Sequence, residues 1–342
     1  MKPNPVNERV KHRYFQWLRD AKQLAEKSIE QVAMALDRFE EFTQRRDFKQ
    51  LRVEQAGPFK KHLAKLDGKR SGEKLSKATI NSTLYAMRDF IRWLGEQKGF
   101  RNRLVATDAE YFNPSRHDEA IARGKRPMKV PELWQIEAIV KVMPTVTIIE
   151  RRNRAIVALI TLTGARDNAV ASLRVGDLDL EGRELFQDSR HVRTKFRKAF
   201  STSFFPVGDQ FVDIVTDWVM ELTATVGSDH ASPLFPKTEI CFGKDGTTPE
   251  ARLSRGGWAN ADPIRKLFKE ACTAANMPDF KPHSLRHMLA RIGEQRAASA
   301  EDMKSWSQNL GHESMLTTFT SYGQVPAHRQ KEVVSRMTKP VT

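Results

Sequence analysis

Between Ser76 and Gln97 the chain reads SKATINSTLYAMRDFIRWLGEQ, and Ile80, Leu84, Met87, Phe90, Ile91 and Leu94 recur at intervals of mostly three or four positions. That period belongs to one face of an α-helix and not to a strand. Such a segment folds as an amphipathic helix, whose apolar stripe needs neighbours to cover it. SIEQVAMALDRFEEFTQRR (28–46) repeats the pattern with Ile29, Val32, Leu36, Phe39 and Phe42. Ser28 and Ser76 are the expected N-caps, where a hydroxyl accepts from an otherwise unpaired first-turn amide. YFQWLRDAKQL and VEQAGPFKKHLAKL are shorter helical patterns, so residues 1–112 predict a bundle of roughly four helices.

Residues 113–127 fall in NPSRHDEAIARGKRPMKVPE, which lacks a clear period and mixes prolines, a glycine and cations. That composition reads as a basic inter-domain linker. A second domain is expected over 128–342, with helical patterns at LWQIEAIVKVM and NRAIVALITLTG. Residues 173–206 alternate short apolar and polar runs around Glu181-Gly182 and a basic turn, which predicts two or three antiparallel strands. Helices resume at QFVDIVTDWVMEL, at DPIRKLFKEACTAAN and from about 283. The fold class expected is mainly α with a small antiparallel β-sheet, in two domains, because 342 residues exceed what one core usually organises.

A net charge of +15 points to a polyanionic partner, nucleic acid first. No apolar stretch reaches the ~20 residues of a spanning helix, and MKPNPVNERVKHRYFQWL lacks the apolar core of a signal peptide. The cytoplasm is the expected location, with no membrane partner. Cys241 and Cys272 lack CxxC spacing, so neither disulfide framework nor zinc knuckle is expected. His283 and His287 have the i,i+4 spacing of a zinc pair, but Ser284 stands where a zinc protease needs Glu, and no metal is expected.

Four segments of the second domain gather cations and histidines: TGARDNAVASL (163–173), HVRTKFRKAF (191–200), HSLRHM (283–288) and LGHESMLTTFTSYG (310–323). Cutting a phosphodiester without a metal requires fixed positive groups on the two non-bridging oxygens, and guanidinium suits that by its permanent charge and planar donors. A phenol, with pKa about 10, becomes a nucleophile only beside such groups or a base. Of Tyr14, Tyr85, Tyr111 and Tyr322, only the last lies in the second domain.

Together these segments resemble the catalytic signature of the tyrosine recombinases, the phage-integrase family, and the N-terminal bundle is similar to that family's core-binding domain. The resemblance implies Arg166 and Arg286 as phosphate clamps, His283 as base, His312 as a hydrogen bond to the phosphate and Tyr322 as nucleophile. It implies Lys195 as proton donor to the leaving 5′ oxygen, with Arg197 and Lys198 as competitors from the same hairpin, otherwise suited to clamping phosphate. No metal or nucleotide cofactor is implied. Ala169 stands where the family commonly carries an acid, the nearest being Asp167, and Tyr322 follows His312 by ten residues, one more than is usual. The tail VPAHRQKEVVSRMTKPVT, with Val333, Val334 and Met337 on one side, resembles the segment that packs on a neighbouring protomer.

Double-stranded DNA is the expected partner, held between the two domains by a homotetramer on two sites, with room for an accessory protein or second recombinase. Lys77, Asn81, Arg88 and Arg92 on the 76–97 helix are expected to face a groove, and Arg123, Lys125 and Arg126 to run along the backbone. A type IB topoisomerase shares the phosphotyrosine chemistry and a non-catalytic DNA-binding regulator shares the basic surface. Both remain as alternatives.

Overall fold

Asn4 accepts from the Val6 amide at 3.0 Å and Pro5 supplies a helical φ, so α1 (Pro5–Asp20) begins at the earliest turn the chain allows. The computed structural model describes residues 2–68, 72–124, 129–194, 198–227, 229–242, 249–312 and 327–336. The chain divides into two units, Met1–Arg126 and Pro127–Thr342.

In the first unit α2 (Glu26–Phe42) starts two residues before Ser28, which lies inside the first turn rather than capping it. Arg19 grips Glu26 at 2.5 Å and holds the acid at the helix start. α3 (Ala56–Lys65) and α4 (Lys77–Gly95) follow, and Ser76 caps α4 by accepting from the Thr79 amide at 3.2 Å. The predicted stripe is the buried face: Ile80, Leu84, Met87, Phe90, Ile91 and Leu94 are all at most 4% exposed. Around it gather Tyr14, Phe39, Phe59 and Phe112, with the Phe39 and Phe59 rings edge to face at 5.0 Å. Glu40 is fully buried, which the apolar pattern of α2 did not announce. Its carboxylate accepts from Lys11 Nζ at 2.6 Å and Asn7 Nδ2 at 2.9 Å, joining α1 to α2.

The expected linker is corrected in part. Residues Arg116–Arg123 form a helix, α5, that Ser115 caps by accepting from the Asp118 amide at 3.0 Å, and α5 packs on α4. Its hold on α4 is largely polar, so no apolar period advertised it.

The second unit is built around α7 (Ile148–Thr163), reached from α6 (Leu133–Val142); every residue from Ala155 to Thr163 is buried. Thr147 and Glu150 cap each other's amides at 3.2 and 2.7 Å. After the short α8 (Asp167–Val170) comes an antiparallel sheet in the order β1 (Leu178–Asp179), β2 (Glu184–Gln187), β3 (Phe200–Ser203), with Leu178 opposite Leu185 and Gln187 opposite Phe200. α9 (Asp209–Val226) packs on α7. A second hairpin, β4 (Thr238–Phe242) with β5 (Pro249–Leu253), lies where no strand was expected; Ile240 and Phe242 on it are exposed, so burial does not pattern its sequence. α10 (Asp262–Ala274), α11 (Pro282–Arg296), α12 (Ala300–Asn309) and α13 (Ala327–Arg336) complete the described elements. Among the described residues no helix is long and apolar enough to cross a membrane.

Candidate active site

The second unit brings three of the motif segments together at the C-terminal end of α7. Gly164 ends that helix in the left-handed region, φ 60°, and a Cβ there would meet Leu289 and Leu310 side-chain carbons at 3.0 Å. This bare turn lets α11 and the segment after α12 close on it. Arg166 follows at once as the N-cap residue of α8.

Arg286, on α11, is 3% exposed. Its guanidinium donates to the Gly164 carbonyl at 3.0 Å and also to the Leu310 carbonyl, tying the turn that carries Arg166 to the turn that carries His312. His312 is half-buried, just after Gly311 at φ 69°. A Cβ on Gly311 would strike the Phe200 ring at 2.6 Å, so β3 can press against this turn. Asn309 pairs with β3 like a strand: its side chain accepts from the Ser203 amide and donates to the Ser203 carbonyl, both at 2.8 Å. Neither strap has a sequence signature beyond the residues themselves.

His283 and His287, one turn apart on α11, stack edge to face at 4.9 Å. The His283 imidazole is pushed down from 6.5 to about 4, by lost hydration first and then by the positive groups of His287, Arg286 and Arg166; Asp167 pulls it up. The residue is exposed, so its loss of water is partial and the cationic neighbours carry weight beside it. His312 is likewise held at about 4, by burial first and then by Arg286, Arg166, His283 and His287. Arg166 and Arg286 therefore form one cationic cluster with His283 and His312, whose imidazoles are held neutral, chemistry suited to a phosphate diester.

Ala169, at the position of the missing acid, is 1% exposed in the core. Asp167 is held instead by Arg265 of α10 at 2.6 Å. The stem of the β2–β3 loop is fixed by His191, whose Nε2 lies 2.8 Å from Asp177, and by Arg193. Lys198 is half-buried just before β3. Lys195, Arg197, Tyr322, Lys125 and Arg126 lie outside the described residues. Among the described residues no cluster of three or more His, Cys, Asp or Glu could hold a metal ion.

The groove-facing set on α4 needs correction, because α5 covers part of that face. Asn81 is 5% exposed: its amide nitrogen donates to the Asp118 carbonyl at 3.3 Å, and its Oδ1 is buried with no partner among the described residues. Lys77 pairs with Asp118 at 2.6 Å. Tyr85 donates to Glu119, and Arg88 lies over the Tyr85 ring at 4.8 Å. Arg92 is exposed, and Arg123 reaches Glu119 at 3.7 Å from an open position.

Residues 132–329 match the phage integrase family, and residues 12–98 match the phage integrase N-terminal SAM-like domain. The chain is similar to tyrosine recombinase XerC of Lactobacillus leichmannii, 27% identical over 251 residues and 72% of each chain. XerC of Myxococcus xanthus is 26% identical over 261 residues, 74% of this chain and 76% of that one. Among solved structures, XerH site-specific recombinase bound to palindromic difH substrate in a post-cleavage complex superposes with a TM-score of 0.62 at 18% identity, covering 96% of this chain and 84% of that one. Tn1549 transposon integrase in complex with transposon right end DNA gives 0.61 at 15% identity, covering 96% and 99%. With its fold, its two matched regions and these relatives, the chain belongs to the phage integrase family of tyrosine recombinases.

Proposed function

We propose that this site-specific recombinase breaks and rejoins DNA at the α7–α11 cluster, with Tyr322 as nucleophile. The observation that carries the reading is Arg286: buried, and bonded to both the Gly164 and Leu310 carbonyls, it ties the turn that carries Arg166 to the turn that carries His312. A phosphate placed there meets two guanidiniums on its non-bridging oxygens and a hydrogen-bonding imidazole from His312. Loss of one such group typically costs about a hundredfold or more in rate.

The Tyr322 oxygen attacks phosphorus, and its proton passes to neutral His283. The bond to the 5′ oxygen breaks, its electron pair stays with that oxygen, and a proton from the Lys195 ammonium neutralises it. One phosphodiester is exchanged for another, a 3′-phosphotyrosyl ester, so the reverse attack by a 5′ hydroxyl needs no nucleotide cofactor. We take double-stranded DNA as substrate, the cytoplasm as its place, and four copies on two sites as the working assembly, with α13 and its exposed Val334 offering an apolar contact.

The test is covalent trapping on a nicked suicide DNA. Wild type should accumulate a protein–DNA adduct and Tyr322→Phe none; equal yields would remove the nucleophile assignment.

A further inference from the structure

Arg193 stands on the stem of the β2–β3 loop, two residues before Lys195. Its backbone amide donates to Ser172 Oγ at 2.9 Å. Its Nη2 donates to the Ala171 carbonyl at 3.0 Å and to the Trp258 carbonyl at 2.7 Å, and its Nη1 to the Ala259 carbonyl. One side chain thus joins the loop stem to the end of α8 and to the turn ahead of α10. Arg166 is the N-cap residue of that same α8, and Arg265 of α10 grips Asp167 at its start. α8 is therefore held at both ends, and the loop stem at Arg193 is tied to the element that carries Arg166.

The fixture is specific to a guanidinium. Three carbonyls from two segments converge on one planar set of donors, which defines direction as well as distance, something a lysine ammonium or an apolar anchor does not do. Among the described residues none of its hydrogen-bond partners is a carboxylate, and burial lowers its pKa. Its Nε and Thr194 Oγ1 are buried without partners among the described residues, so the stem gives up hydrogen bonds to keep this geometry.

We propose that Arg193 is a positioning residue for proton donation: it orients the loop stem on α8 so that the Lys195 ammonium reaches the leaving 5′ oxygen while Arg166 holds the phosphate. The inference rests on the reading of Lys195 as donor. When the bond from phosphorus to the 5′ oxygen breaks, the electron pair goes to oxygen and a proton moves to it from Lys195 Nζ. Sulfur at that bridging position leaves as a thiolate and needs no proton, since a thiol has a pKa of about 8.5 against about 15.7 for water.

Single-turnover cleavage of matched DNAs with 5′-bridging oxygen or sulfur tests this, with Arg193→Ala, Arg193→Lys and Lys195→Ala alongside wild type. The sulfur-to-oxygen rate ratio is internal to each preparation, so a partly folded variant does not distort it, and Arg193→Lys serves should Arg193→Ala fail to fold. Loss of positioned acid catalysis should slow the oxygen substrate by about a hundredfold or more. For Arg193→Ala and Lys195→Ala the ratio should rise by roughly that factor, and for Arg193→Lys it should rise by less. Arg193 variants that slow both substrates equally, or neither, overturn the proposal. A Lys195→Ala protein that sulfur does not rescue overturns the donor reading and this proposal with it; a rescued Lys195→Ala beside unrescued Arg193 variants overturns this proposal alone.

Discussion

His283 and His312 show what lost hydration, and after it a set of cationic neighbours, does to an imidazole. Each is held at about 4, below the ordinary 6.5 of imidazole, so each is neutral in the folded protein at neutral pH and ready to accept a hydrogen bond or a proton. The linkage has a definite sign. Between pH 6.5 and about 4 the unfolded chain takes up protons that the folded chain refuses, so stability from these groups is intact above 6.5 and is lost as pH falls through about 4. Side-chain NMR of the DNA-free protein should give both imidazoles midpoints near 4; midpoints near 6.5 would show that the cluster does not assemble in solution. At this scale much was legible, because TGAR, HSLR and LGH carry their residue types in short local spacings. Asp167 was legible only as the nearest acid; its tie to Arg265 spans 98 positions of sequence and belongs to the fold.

Elements divide by whether burial patterns them. α4 was readable because six apolar residues on one face are excluded from water, each contributing roughly 1.5–3 kcal/mol by burial. α5 was not, since its hold on α4 includes Lys77 with Asp118, Asn81 with the Asp118 carbonyl and Tyr85 with Glu119, contacts with no period. The same reason hid the β4–β5 hairpin and the Asn309 strap on β3. α5 has only eight residues, too few to be a stable helix alone, so its cap matters. Ser115→Ala should cost about 1 kcal/mol locally and speed amide exchange across 116–123 roughly fivefold, with the rest of the unit unchanged. Unchanged exchange in α5 would mean that its contacts with α4 hold it without the cap.

For the whole molecule the governing quantity is a net charge of +15, which suits a DNA partner and opposes self-association without one. Assembly should therefore depend on DNA. Mass photometry should find four copies on a DNA carrying two sites and fewer on a single site, and a truncation before residue 327 should lower the four-copy population while leaving cleavage of a suicide DNA. No more than two copies on the paired sites would remove the tetramer. The sequence by itself determined the helical character, the two-part organisation and the residue types of the chemistry, because apolar period, charge and short motifs act over a few positions of chain. Only tertiary structure decided that Arg286 would join the Gly164 and Leu310 turns, that α5 would cover Asn81, and that Arg193 would bind the β2–β3 stem to α8. Those outcomes depend on hydrogen bonds between segments far apart in sequence, whose donors and carbonyls look the same in the chain wherever they end up.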